Sequence, residues 1–207
     1  MNGGPANLVM WILAPLFGMI GLYLLWYLRR RRHMLAAFAR NHSFPMRSGQ
    51  GAELQETLDR CFSLNDEGMV RSFGQLSSLI EATPVWIFSV VELLDLDPYA
   101  SAYSTNFTRI VALFDIANDY DEFFLLDKAM QASPALPGSQ PPDQDLSTMA
   151  GQTVEDCHAR HTLSVTLRRG YGLIYFEPLV TGGESLDDIE SLYCIAGKLH
   201  GMLQGKA

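Results

Sequence analysis

The first apolar positions of the chain form one uninterrupted run. Residues 8–28 read LVMWILAPLFGMIGLYLLWYL and contain no charged side chain. At about 1.5 Å rise per residue, a helix over this run is about 31 Å long, which matches the hydrocarbon core of a bilayer. The pattern predicts a transmembrane helix over residues 8–28, preceded by a short external N-terminus at residues 1–7.

A cleaved signal peptide is the alternative interpretation of an apolar run near the N-terminus. It requires positive charge before a shorter apolar stretch and small residues at the cleavage site. Here the leading residues MNGGPAN carry no charged side chain, and four consecutive arginines follow the run. The pattern therefore favours a retained single-pass anchor over a signal peptide.

The residues that flank the run predict its orientation. Arginine clusters stay on the cytoplasmic side of a cell (inner) membrane, and Trp and Tyr favour its interfaces. We therefore expect a basic juxtamembrane segment at residues 29–33 and a cytoplasmic domain at residues 34–207. The residues expected to anchor the helix are Trp11, Trp26, Tyr27, Arg29, Arg30, Arg31 and Arg32.

Apolar residues recur at helical spacing in three places beyond the arginines. Residues 34–42 either extend the anchor helix or begin a new helix just after it, and residues 52–62 form a short amphipathic pattern. Near the C-terminus, Ser185 is suited to cap a helix. The apolar stripe of that last helix comprises Leu186, Ile189, Leu192, Tyr193, Ala196, Leu199 and Met202.

Runs rich in β-branched and aromatic residues predict the strands. Two pairs of runs flank short turns, and each pair predicts a hairpin: residues 76–82 with 85–94, and residues 162–167 with 171–179. Further strands are expected at residues 69–73 and 109–116, and residues 122–127 form a further short element that fits either a strand or a helix.

Two polar segments between these elements predict loops. Residues 95–108 contain three aromatic side chains, and aromatic residues in a loop are candidates for a protein-contact surface; these are Tyr99, Tyr103 and Phe107. Residues 130–153 contain four prolines among Gly, Ser, Gln and Asp, and this composition predicts a long mobile loop.

The order of elements predicts an α+β domain after the transmembrane helix. We expect a mainly antiparallel, roll-like sheet with early short helices and a closing C-terminal helix. Consecutive strands joined by short turns, with no helix between each pair, argue against a doubly wound parallel sheet.

The charge of the chain is divided sharply along its length. The net charge is −8, but four of the 15 basic residues are the consecutive arginines, and all 23 acidic residues follow them. Residues 33–207 therefore carry 11 basic and 23 acidic groups, a net charge of −12. Such an acidic domain repels nucleic-acid phosphates, which argues against nucleic-acid binding.

Candidate chemistry is sparse. The three cysteines show no paired spacing, which favours buried thiols in a reducing compartment. Cys157, His158 and His161 are weak candidates for metal ligands, because thiolate and imidazole both bind zinc. The acidic pair Asp95 and Asp97 is a second weak candidate site, for a divalent cation or for acid–base catalysis. No motif predicts a catalytic residue or a cofactor.

The anchor followed by RRRRH, the segment LAAFARNHSF and the strand EATPVWIFSVVELL together resemble uncharacterised bacterial single-pass membrane proteins with a cytoplasmic C-terminal domain. That resemblance implies no activity. The leading hypothesis is a membrane-tethered interaction domain, an accessory or assembly subunit with a protein partner or a second copy. The alternatives are a ligand- or lipid-sensing module and, third, an enzyme.

Overall fold

The computed structural model describes residues 5–47, 52–62, 65–66, 69–73, 76, 78–95, 104–118, 120–126, 132–133, 144–176 and 184–204. The helices are α1 (Pro5–Asn41), α2 (Ala52–Phe62), α3 (Gln144–Asp156) and α4 (Leu186–Gln204). The strands are β1 (Met46–Arg47), β2 (Asn65–Asp66), β3 (Met69–Phe73), β4 (Ser78–Ala82), β5 (Val85–Asp95), β6 (Ser104–Asp115), β7 (Asp121–Leu126), β8 (Ala132–Ser133), β9 (Leu163–Arg168) and β10 (Tyr171–Phe176).

The strands form one open antiparallel sheet, which confirms the predicted α+β class. Its order is β1-β4-β5-β6-β10-β9-β7-β8. In addition, β3 pairs with the C-terminal end of β5 on one side and with β2 on the other. Six longer strands, β4 to β7 with β9 and β10, make up its body. The expected roll-like closure is not observed, because β1 and β8 lie at opposite ends of this order and do not pair within the described part of the chain.

Both predicted hairpins are confirmed. β4 pairs with β5 across a turn at Thr83-Pro84, whose peptide bond is cis. β9 pairs with β10 across Arg169 and Gly170, which both have positive φ, at 50° and 81°. Two central residues with positive φ match the right-handed twist of the flanking strands, and this explains the tight connection.

The two faces of the sheet are buried against different helices. On one face, residues such as Ile87, Ile110 and Val165 pack in a cluster with side chains of α1, α3 and α4. On the other face, Phe88 and Val111 pack with α2, whose contributions are Leu58, Cys61 and Phe62. The period-two alternation of the strands thus divides the core into two layers.

The C-terminal helix begins at the predicted cap. The backbone N–H of Asp188 donates to Ser185 Oγ at 3.3 Å, and the backbone N–H of Ser185 donates to Asp188 Oδ2 at 2.7 Å. This reciprocal arrangement satisfies two donors that the first turn leaves unpaired. The buried apolar residues of α4 are Ile189, Leu192, Ile195, Ala196, Leu199 and Leu203.

Two predicted loops are wrong in part. β6 begins at Ser104, so the polar residues 104–108 extend a strand that pairs with β5 instead of forming a loop. α3 occupies residues 144–156, so the predicted mobile loop at residues 130–153 is helical at its end. Cross-strand hydrogen bonds to a long β5 and burial of Ala150 and Val154 explain why these polar segments are ordered.

Candidate membrane-anchoring site

The N-terminal part of α1 carries an exposed apolar surface between Leu16 and Leu28. Phe17 is 67% exposed and Leu22 is 68% exposed, and the other large apolar side chains that share this surface are Leu16, Met19, Tyr23, Leu25, Trp26 and Leu28. Among the described residues, no helix is both long enough and apolar enough to cross a bilayer. The side chains of residues 1–13 lie outside the described part of the chain.

Aromatic rings and guanidinium groups meet at the end of this surface. Tyr23 lies 6.0 Å from Trp26 and 6.3 Å from Tyr27 between ring centroids. The guanidinium carbon of Arg30 lies 5.5 Å from the centre of the Trp26 ring, and that of Arg31 lies 4.9 Å from the centre of the Tyr27 ring. These are cation–π distances, so the rings help to position two of the four arginines.

The four arginines that are expected to anchor the helix differ in exposure. Arg29, Arg30 and Arg32 are exposed, whereas Arg31 is only 5% exposed and forms an ion pair with Glu184. Arg31 points into the domain because successive residues of a helix face different directions, about 100° apart. It is therefore a contact between α1 and the domain, and the expected anchoring role of the arginines stays a prediction.

Glu184 occupies a buried position just before α4. Its Oε1 accepts a hydrogen bond from the backbone N–H of Ile110 at 3.0 Å, and its Oε2 pairs with Arg31 Nη2. Burial raises the pKa of Glu184, and it outweighs the opposite effects of Arg31 and the Ile110 N–H. The carboxylate thus connects α1, β6 and the start of α4.

The C-terminal part of α1 is packed inside the domain. Leu35, Phe38 and Ala39 are buried in the same cluster as α4. Phe38 meets Tyr193 edge to face at 5.7 Å between ring centroids. His42 Nε2 lies 2.8 Å from Glu190 Oε2. One continuous helix therefore joins the exposed apolar surface to the core of the domain.

The expected metal ligands do not form a cluster. Cys157 is bonded to Cys194 as a disulfide, so its sulfur is not a free thiolate, and the expectation of separate buried thiols is wrong for this pair. His158 is exposed, and His161 Nε2 lies 3.5 Å from Asp188 Oδ1. Within the described ranges, no three His, Cys, Asp or Glu side chains converge to hold a metal ion. Cys61 remains a free, buried thiol.

The expected partner-contact residues are only partly placed. Tyr99 and Tyr103 lie outside the described residues, as does the acidic candidate Asp97. Phe107 belongs to β6 and not to a loop, and Asp95 is the last residue of β5. Trp11 lies in α1, and its side chain is outside the described set.

Sequence reasoning missed Glu184 and the disulfide. Nothing in the sequence around Glu184 indicates a partner in α1. A signal did exist for Cys157. Leu146, Ala150 and Val154 recur at helical spacing before it, which places Cys157 near the packed face of a helix.

Comparisons with known proteins identify no relative of this chain. The chain matches no protein-family model, no curated protein and no solved structure. The resemblance to bacterial single-pass membrane proteins therefore stays a prediction, and the function has to be inferred from the geometry of the chain itself.

Proposed function

We propose that the chain is a single-pass membrane protein in which α1 tethers an acidic interaction domain to the cytoplasmic face. The observation that carries the proposal is the change of environment along α1. The large apolar side chains described between Leu16 and Leu28 are mostly exposed, whereas Leu35, Phe38 and Ala39 are buried in the core. Large contiguous apolar patches on a protein surface mark contact with a membrane or a partner. The apolar run of residues 8–28 has the length of a membrane span.

The absence of a break in α1 defines how the domain is held. Leu28 and Leu35 are separated by two helical turns, a rise of about 10 Å. Arg31, between them, already pairs with Glu184. The domain is therefore held close to the headgroup layer by a rigid helix, and we expect its orientation relative to the bilayer to be restricted.

Orientation follows from the three exposed arginines. Arg29, Arg30 and Arg32 remain available at the end of the apolar surface after Arg31 is withdrawn into the domain. A basic cluster of this kind favours the cytoplasmic side and contributes on the order of 1 kcal/mol per residue near anionic headgroups. These residues support placement of the domain on the cytoplasmic side.

The interaction role is supported by the charge of the domain. Its net charge of −12 over residues 33–207 favours a partner with a basic surface, since complementary charge steers association and selects partners. A domain fixed at the membrane meets a membrane-bound partner at a high effective concentration. An accessory or assembly subunit of a membrane complex fits both properties.

Alkaline extraction of membranes from cells expressing the full chain tests the anchor. We expect the chain to stay in the pellet. The variant Phe17→Arg with Leu22→Arg should move to the soluble fraction, because each arginine costs about 2.5–3.5 kcal/mol at the centre of a span. Phe17→Ala with Leu22→Ala is the matched control and should stay membrane-bound. Recovery of the unaltered chain in the soluble fraction would contradict the proposal that α1 anchors it in the membrane.

Capture of the full chain in mild detergent tests the interaction role. We expect a stoichiometric partner at low salt that dissociates as salt approaches about 1 M, where charges are screened beyond about 3 Å. Repeated recovery of the chain alone, in the presence of crosslinker, would contradict the interaction role and leave the anchor unaffected.

A further inference from the structure

A disulfide joins two helices on the same face of the sheet. Cys157 directly follows α3, and Cys194 lies in the middle of α4, with their Cα atoms 5.8 Å apart. Cys157 is buried and Cys194 is half-buried. The third cysteine, Cys61, packs with α2 against the opposite face of the sheet and is a free thiol.

Beyond the apolar packing of Ala150 and Val154, the contacts described at this end of α3 are ion pairs, of which His161 Nε2 with Asp188 Oδ1 at 3.5 Å is the least exposed. Lys198 Nζ pairs with Asp156 Oδ2 at 2.8 Å, but Asp156 is largely exposed, and such surface ion pairs contribute little. The same holds for Arg160 and Asp187, whose side chains are 67% and 66% exposed. Among the contacts described here, the covalent bond is therefore the strongest link between the end of α3 and α4.

We propose that the bond between Cys157 and Cys194 is a reversible redox lock that fixes α3 on α4. The inference rests on the proposed cytoplasmic orientation, because disulfides in a reducing compartment are transient or regulatory, whereas outside it they are permanent. Reduction leaves the end of α3 and the residues that follow it held by exposed ion pairs, by His161 beside Asp188, and by Ala150 and Val154. Its release uncovers apolar surface of α4 and the sheet.

The chemistry is thiol–disulfide exchange with a small-molecule thiol and its disulfide. A thiolate attacks Sγ of Cys194, the more exposed sulfur-bearing residue; the bond between the two sulfurs breaks, and Cys157 leaves as a thiolate that takes up a proton. A second thiolate then attacks the mixed disulfide, frees Cys194 and forms the small-molecule disulfide. The protein gains two electrons and two protons, and the reverse reaction restores the bond.

The full chain carrying Cys61→Ser, reconstituted in lipid nanodiscs, tests the lock. Samples are equilibrated with glutathione and glutathione disulfide at a series of ratios and quenched in acid. Alkylation with a mass-shifting maleimide then counts free thiols, and hydrogen exchange reports on residues 144–161. We expect a change from no tag to two tags, with amide exchange in this segment at least about tenfold faster in the reduced state.

Two single variants separate the lock from general damage. Cys157→Ser and Cys194→Ser, each with Cys61→Ser, should exchange at the fast rate at every glutathione ratio, while β9 and β10 remain protected. Equal exchange in the oxidised and reduced chain would overturn the proposal, as would failure of the bond to form at any ratio.

Experiments in cells distinguish this inference from the proposed orientation. If protease added outside intact cells digests the domain, the proposed orientation fails and the lock fails with it. If the domain is protected, the two thiols should be trapped as free thiols in growing cells and as a disulfide after a thiol-specific oxidant is added. A protected domain whose thiols never pair under oxidant overturns the lock alone.

Discussion

Arg31 of α1 and Glu184 before α4 form an ion pair in which both side chains are almost fully buried. The pair lies where the exposed apolar part of α1 gives way to the part packed in the core. It joins the first helix of the chain to β6 and to the start of the last helix, because Glu184 also accepts the backbone N–H of Ile110. The pair therefore sets the geometry between the proposed anchor and the domain.

Loss of Arg31 should destabilise the domain. Arg31→Met leaves Glu184 buried without its counter-charge, and we expect the free energy of unfolding at neutral pH to fall by about 3 kcal/mol. Urea denaturation of the full chain in detergent measures it. Arg32→Met, which removes an exposed guanidinium, should change the value by less than about 0.5 kcal/mol. Equal effects of the two variants would contradict the burial of Arg31.

Glu184 should make stability depend on pH with a definite sign. Burial raises its folded-state pKa above the ordinary value of 4.5. The folded state therefore holds this proton more tightly, and the stability contribution is complete below about pH 4.5 and is lost as pH rises through the folded-state pKa. Glu184→Gln removes this dependence. The unfolding free energy of the unaltered chain, minus that of Glu184→Gln, should fall as pH rises above about 4.5; a rise would contradict this prediction.

Breaking the disulfide should lower the free energy of unfolding, because the unfolded chain regains conformational entropy. The bond closes a loop with a sequence separation of 37, for which chain entropy predicts about 3–4 kcal/mol. Cys157→Ser with Cys194→Ser should lower the free energy of unfolding by that amount relative to the oxidised chain. In the presence of reductant the difference should vanish, and a persistent difference would indicate that the substitutions act on packing instead.

Two glycines should respond to alanine with opposite signs. A Cβ atom at Gly172 in β10 would lie 2.2 Å from the ring of Phe114, so Gly172→Ala should cost about 1–3 kcal/mol. Gly197 in α4 has nothing within 4 Å of its Cβ position, and Gly197→Ala should gain about 0.5–1 kcal/mol. Thermal unfolding measures both, and Phe114→Leu should partly rescue Gly172→Ala.

Local patterns in the sequence predict the elements of this fold better than their contacts. Helix α2, the hairpin turn at residues 169–170 and the Ser185 cap each depend on neighbouring residues, and all three could be predicted. The start of β6 could not, because the polar residues 104–108 are ordered by pairing with β5.

The candidate site likewise has features that the sequence predicts and features that depend on tertiary contacts. The apolar run and the arginines that follow it are visible in the sequence, and they predict an anchor. The partner of Arg31 is not visible, because Glu184 reaches it only when α4 folds against α1. The pairing of Cys157 with Cys194 also depends on the packing of α3 against α4, and no spacing rule for cysteines predicts it.

Protease protection of the full chain with a C-terminal epitope tests the proposed topology. In intact cells the epitope and the domain should resist protease added outside, and in inverted membrane vesicles the same protease should remove everything beyond the exposed arginines. Digestion of the domain in intact cells, or recovery of the chain in solution without detergent, would contradict a membrane helix that places this acidic domain in the cytoplasm.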